Sequence, residues 1–257
     1  MSRYDFRSPR LYVEGHLAAS AEIALGRQQA HYLRNVLRIK SGDAVLLFNG
    51  RDGEWRAAAS LAGKGVELTV RELVRQQPRS ADLHYLFAPL KHERLDYMVQ
   101  KAVEMGVSRL QPVVTRHTQV SRVNIDRMRA NAVEAAEQCG ILTVSEISAT
   151  ITFDKMLAAR NPNRLLVFCD EEAELNNPLA ALSAARLEPA EAAPAHSSEP
   201  LAILVGPEGG FAEDERAALR NQPNVVRLSL GPRILRADTA AVAALALVQA
   251  VLGDLRS

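Results

Sequence analysis

Apolar positions in this chain follow two spacings, and the change between them divides it. Leu83 to Leu90, Arg109 to Val114, Arg164 to Phe168 and Leu201 to Val205 are short apolar runs of strand length. Between them, Leu95, Val99, Ala102 and Val103 share one face of a helix that Gly106 ends as a C-cap glycine. Ile125 to Cys139 reads as an alanine-rich helix ending at Gly140. Glu213-Asp214-Glu215 opens another helix with acidic residues in its first turn, where the helix dipole favours them. Val225 to Leu230 is a further strand. Asp238-Thr239 supplies an N-cap for the last helix, in which Val242, Leu245, Val248, Gln249 and Leu252 stand at helical spacing. Alternation of strand and helix from Leu83 onward predicts an α/β domain with a mostly parallel sheet.

The front of the chain has a different rhythm. Ala30 to Ile39 has the spacing of one short helix, and Ser41-Gly42-Asp43 turns the chain. Ala44 to Phe48, Glu54 to Ala59 and Val66 to Val74 are strands punctuated by Asn49-Gly50 and Asp52-Gly53. Several short strands with one helix predict a small β-barrel. Gln76-Gln77-Pro78-Arg79-Ser80 is a polar, proline-containing boundary, which gives domains of 1–75 and 80–257. Residues 186–200 carry three prolines and no periodicity, so they read as a flexible insertion, and His196 within them is no site candidate.

Composition adds limits. The chain has 257 residues, enough for two domains with a sizeable core, and 47% hydrophobic content typical of a globular protein. No apolar run approaches the ~20 residues that span a bilayer. Met-Ser-Arg-Tyr-Asp-Phe-Arg lacks the apolar core of a signal peptide. Cys139 and Cys169 have no metal-like spacing and read as two buried free thiols in a reducing cytoplasm, with no metal site. The net charge of +1 hides an asymmetry: residues 1–130 hold 21 Lys+Arg against 13 Asp+Glu, and the remainder 10 against 17. A basic front half predicts a polyanionic partner there. Arg7, Arg10, Arg34, Arg38 and Lys40 are the candidate contacts to the phosphates of such a polyanion. His31 reads as a surface or packing residue.

Candidate chemistry concentrates near the C-terminus. Leu201 to Val205 runs into Gly206-Pro207-Glu208-Gly209-Gly210, and the strand from Val225 runs into Gly231-Pro232. Both glycine loops precede helices, and ligands bind at strand carboxyl ends in open α/β sheets. Neither loop is a P-loop or a dinucleotide fingerprint. Arg116-His117-Thr118 to Arg122 is a polar segment that follows a strand, at the same edge.

Gly206-Pro207-Glu208-Gly209-Gly210 followed by Leu230-Gly231-Pro232-Arg233-Ile234-Leu235-Arg236-Ala237-Asp238-Thr239-Ala240 resembles the C-terminal half of the SPOUT methyltransferases, specifically the RsmE family. Gln100 to Gly106 and Glu134 to Gly140 are similar to the same family. The chain departs from its pattern at Ile141, where arginine is usual, and at Asp238, where glutamate is usual. The resemblance implies a PUA-like RNA-binding domain followed by a SPOUT methyltransferase domain with a trefoil knot and a homodimer built on the C-terminal domain. It implies S-adenosylmethionine as cofactor and N3 of a uridine in 16S ribosomal RNA as acceptor. A ribose 2′-O-methyltransferase and a non-catalytic RNA-binding assembly factor are the alternatives. For the cofactor, the backbones of Gly206, Gly209, Gly210, Leu230 and Gly231 and the side chains of Leu204, Ile234 and Leu235 are the candidate walls, with Glu208, Arg236 and Thr239 beside them. Arg236 is the candidate cation for charge developing on the uracil, or a loop clamp. Glu208 or Asp238 would take the N3 proton, or anchor the loop and cap the helix.

Overall fold

The computed structural model describes residues 7–63, 65–120, 122–174, 177–185 and 200–256. The proline-rich segment 186–199 lies outside them, so the expected flexible insertion does too. The chain divides into two compact units, Met1–Arg79 with Ala136–Val144, and Ser80–Ala135 with Ser145–Ser257. The excursion of 136–144 into the first unit has a local cause. The Tyr12 amide donates to Glu137 Oε1 at 2.8 Å and Arg75 Nη2 to the Gly140 carbonyl at 2.9 Å.

The first unit runs β1 (Arg10–Tyr12), β2 (Glu22–Ala24), α1 (Arg27–His31) with a π-helical turn (Tyr32–Val36), β3 (Ala44–Phe48), β4 (Glu54–Ala62) and β5 (Gly65–Arg75). These strands form one sheet in the order β1-β3-β4-β5-β2, antiparallel except for β1 beside β3. Val66, Leu68 and Val70 alternate inward along β5 and meet Val45 and Leu47 of β3 and Leu33 of the helix. The helix starts three residues before its expected start and stops at Val36. Arg38 has φ 55°, a left-handed conformation that α-helix cannot continue through.

The second unit runs β6 (Leu83–Phe87), α2 (His92–Glu104), β7 (Arg109–Val114), α3 (Ile125–Cys139), β8 (Glu146–Ile147), β9 (Ile151–Thr152), α4 (Phe153–Ala159), β10 (Leu165–Cys169), α5 (Pro178–Ala184), β11 (Leu201–Val205), α6 (Glu213–Arg220), β12 (Val225–Leu228) and α7 (Ala237–Val251). Its strands are all parallel, in the order β12-β10-β11-β6-β7-β8, with β9 also on β7. Every residue of β10 and β11 is buried, which is why both read as unbroken apolar runs: helices cover both faces of a parallel sheet. After the edge strand β12, α7 returns to pack on α2, α5 and β11. Side-chain caps open some of these helices. The Asn124 side chain accepts from Arg127 N at the start of α3, and Asn177 accepts from Leu179 N with Pro178 at the first turn of α5.

At the amino ends of these strands, burial, reinforced by Arg164 and Arg109, pushes the His84 imidazole from 6.5 to about 4, against Asp82 and Glu146. Above 6.5 the folded and unfolded chains both hold it neutral, and it contributes nothing to the pH dependence. As pH falls from 6.5 towards 4, the unfolded chain gains a proton that the folded chain refuses, so stability declines through that window and levels off below it. Discounted for solvent screening, the decline should be about 1–2 kcal/mol and should vanish in His84→Gln. Urea midpoints measured across the window check this.

Candidate functional site

Three adjacent parallel strands end flush, because Cys169 of β10 is in register with Val205 of β11 and with Leu228 of β12. The loops leaving them, 170–173, 206–210 and 229–236, enclose a cavity of about 530 Å³. That is within the usual size of a small-molecule site. Its apolar lining includes Val205, Leu228, Leu230, Ile234 and Leu235, and its charged lining is Asp170, Glu171, Glu208 and Arg233.

The glycines of the first loop are required by protein neighbours as well as by any ligand. A Cβ on Gly206 would stand 2.5 Å from the buried ring of Phe211. Gly210 has φ 68°, and a Cβ there would stand 1.9 Å from Glu171 Oε1. His117, from the polar segment after β7, lies against this loop: its Nδ1 is 3.0 Å from the Gly209 carbonyl and 3.2 Å from that of Gly210. Both partners are acceptors, so Nδ1 carries the donated proton. Arg94 of α2 pairs with Glu208, and Glu215 of α6 accepts from the Arg116 amide at 2.9 Å and the Ala212 amide at 3.0 Å. The loop is therefore tied to α2, to the β7 exit and to α6.

Beneath the cavity is a buried ion network. The Asp170 side chain is 0% exposed. Its Oδ2 accepts from Arg227 Nε at 2.9 Å and Nη2 at 2.6 Å, and its Oδ1 faces Arg216 Nε at 3.3 Å. Arg216 of α6 also reaches Glu171 at 2.5 Å and Glu172 at 3.0 Å. Burial alone would favour loss of the Arg216 proton, but Glu171, Glu172 and Asp170 outweigh it and hold the guanidinium charged. Burial, with Asp170 adding to it, pushes the Cys169 thiol up to about 12, so this cavity residue stays protonated and is no nucleophile. Cys139 is exposed, not buried as expected, because it ends α3 on the helix's outer side.

Of the residues expected here, Gly206, Glu208, Gly209, Gly210, Leu230, Gly231, Ile234 and Leu235 line the cavity. Leu204, Arg236, Asp238 and Thr239 do not. Leu204 faces the opposite side of β11 and packs in the core with Phe168 and Phe211, so Val205 is the wall instead. Arg236 is exposed and is itself the N-cap of α7, which displaces the cap expected at Asp238-Thr239. Asp238 lies in the first helical turn, where it accepts from the Thr239 amide at 3.0 Å and complements the dipole. Its charge, after burial and Cys169, also raises the Tyr85 phenol well above its ordinary range. In the first unit, Arg10 turns inward onto Glu54 and over the Phe48 ring at 5.9 Å, so it is no surface contact for RNA. Arg34 donates to the Gly63 carbonyl, while Arg7, Arg38 and Lys40 are exposed. Arg233 and Asp170 were not singled out from the sequence. Its place at a strand's carboxyl end is the one signal that could have found Asp170. Nothing in the string distinguishes Arg233 from Arg236.

Residues 77–249 match the family described as RNA methyltransferase domain, and residues 25–65 the family described as RNA methyltransferase PUA domain. Ribosomal RNA small subunit methyltransferase E of Rickettsia conorii is 33% identical over 93% of this chain and 94% of its own length. The protein of the same description in Synechocystis is 29% identical over 95% of this chain and 78% of its own. A solved ribosomal RNA small subunit methyltransferase E from Neisseria gonorrhoeae, bound to S-adenosyl methionine, superposes with a TM-score of 0.80 at 25% identity, covering 96% of this chain and 99% of that one.

Proposed function

The chain belongs to the ribosomal RNA small subunit methyltransferase E family, and on that premise we propose that it methylates N3 of a uridine in 16S ribosomal RNA. It is an S-adenosylmethionine-dependent rRNA methyltransferase with the SPOUT fold. The observation that carries the site assignment is the 530 Å³ cavity between the two glycine loops. Its residues fit the cofactor. Apolar walls from Val205, Leu228, Leu230 and Leu235 suit a planar base, and the loop backbones offer donors and acceptors along its edge. The cavity's charged lining is Arg233 with three carboxylates, Asp170, Glu171 and Glu208, each of which is already paired with an arginine of the protein. Bound there, S-adenosylmethionine supplies an electrophilic methyl on a positively charged sulfur.

The protein's part is orientation and charge. Ties from Arg94, His117 and Glu215 hold the first loop in place, so the donor is fixed before the base arrives. Uracil N3 loses a proton as it takes the methyl, and a cation beside the base stabilises the charge that develops. Arg236, directly after cavity-lining Leu235 and exposed to the approaching RNA, is our candidate for that role. Glu208 is engaged by Arg94, and Asp238 by the first turn of α7, so each serves first as an anchor. Arg7, Arg34, Arg38 and Lys40 would hold RNA phosphates, supplying affinity more than sequence choice. Ile234 is 98% exposed beside the cavity. An isoleucine in that position supports a homodimer through the C-terminal unit, in which a second copy covers it. A protein acting on ribosomal RNA would work in the cytoplasm, and among the described residues no helix is long and apolar enough to cross a membrane.

Small subunits from cells lacking the protein, incubated with labelled S-adenosylmethionine, should yield 3-methyluridine by nucleoside mass spectrometry. A ribose-methylated nucleoside would reassign the acceptor atom. No transfer together with no cofactor binding would leave an RNA-binding assembly factor. Arg236→Ala should lower kcat about 10²-fold with cofactor affinity nearly unchanged. Equal loss of both would place Arg236 in the cofactor site.

A further inference from the structure

A second cavity, of about 300 Å³, opens on the sheet between α4 and the amino ends of the strands, away from the cofactor loops. Register explains its floor. Leu166 pairs with Ala202, Ala202 with His84, and His84 with Arg109, so one residue from each of β10, β11, β6 and β7 shares the same face. Towards the carboxyl ends that face is roofed by Phe153, Phe211 and Leu219. Towards the amino ends it is not, and the floor of Leu86, Leu166 and Ala202 is bounded by Met156 and Ile151.

Its rim is cationic and incompletely balanced. Arg109 is paired with Glu146 at 2.7 Å and Arg164 with Asp82 at 2.8 Å. Arg160 lies within ion-pair distance of no carboxylate among the described residues. Its Nη2 donates to the carbonyls of Arg164, Pro223 and Asn224 at 3.0, 2.6 and 2.9 Å. Its Nε is buried and makes no hydrogen bond. Three guanidinium groups thus face two carboxylates. His84 cannot supply the missing negative charge. Its Nε2 is 3.3 Å from Asp82, which leaves Nδ1 as an acceptor.

An apolar floor with a surplus positive charge at its rim suits a flat ring carrying an anion, and the volume is at the small end of ligand sites. We propose that this cavity binds a phosphorylated nucleoside, the phosphate against Arg160, Arg164 and Arg109 and the base over Leu86, Leu166 and Met156. This goes beyond methyl transfer and does not depend on it. The nucleotide is free or part of an RNA strand, and the test separates the two.

Titrate the full-length protein, saturated with S-adenosylmethionine, with cytidine monophosphate, cytidine, inorganic phosphate and a short RNA strand. A cytidine nucleotide avoids the uridine acceptor site. Cytidine monophosphate should bind at least ten times more tightly than cytidine or phosphate, and Arg160→Gln should lose that affinity tenfold or more. Because Arg160→Gln also removes three carbonyl contacts, Ala159→Glu, at the exposed end of α4, is the second variant. It places a carboxylate at the rim and should have the same effect, with cofactor affinity unchanged in both. If only the RNA strand binds, and both variants weaken it tenfold, the nucleotide belongs to RNA. Phosphate binding as tightly as the nucleotide, or binding of nucleotide and RNA alike untouched by both variants, overturns the proposal.

Discussion

Asp170→Ala should destabilise the methyltransferase unit by about 3 kcal/mol, a large share of what a domain has to lose. Its carboxylate is fully buried and faces two guanidinium groups, Arg227 on β12 and Arg216 on α6. Truncation strands Arg227 with no other salt-bridge partner among the described residues, whereas Arg216 keeps Glu171 and Glu172. The figure is therefore set at the lower end of the range for broken buried pairs. Asp170→Asn retains the shape and some hydrogen bonding and should cost less. Urea denaturation of both variants measures this. A loss below about 1 kcal/mol for the alanine variant would mean that water repairs the network and that it does not brace the cavity floor.

Gly210→Ala should weaken cofactor binding about ten- to hundredfold and also lower stability by the strain it introduces. Two effects add at this residue. Its φ of 68° strains any residue with a Cβ, at a cost of about 1–3 kcal/mol. The new Cβ also meets Glu171 Oε1, so Glu171 must leave Arg216 or the loop must move. Gly231 is the internal comparison. It has φ 99° but nothing within 4 Å of a Cβ, so Gly231→Ala carries strain without collision and should cost less affinity. Equilibrium titration with S-adenosylmethionine tests the order. Equal losses would show that backbone strain alone decides.

Elements with strong periodicity were legible in the sequence. The strands Ala44–Phe48, Arg109–Val114 and Leu201–Val205 and the helix Ile125–Cys139 have the expected ends, and α6 starts at Glu213 where its acidic turn begins. The strands missed are those too short to show a period: β1 and β2 have three residues each, and β8 and β9 two. Leu83 to Leu90 was read too long because Ala88 and Leu90 are buried without being in the sheet, and burial rather than pairing sets hydrophobicity. At the cavity, strand ends and glycine loops located the site, but side-chain direction was not readable. Leu204 and Val205 are equally apolar, and only the phase of β11 decides which one reaches the cavity. Arg10 looked like any surface arginine because its partner Glu54 lies far along the chain.

Among the described residues, the cavity between the two glycine loops draws its lining from 169–173, 205–210 and 228–240 and from nothing earlier in the chain. On a ribosome, that order matters. The first unit's strands are all synthesised before residue 76, and units generally fold as they emerge. The cavity's second loop and the helix behind it come last. A nascent chain can therefore acquire its N-terminal sheet early, while the cavity is complete only once residues 228–240 have been made. A chain that stops before Leu228 lacks the lining that 228–240 supply and should not bind S-adenosylmethionine.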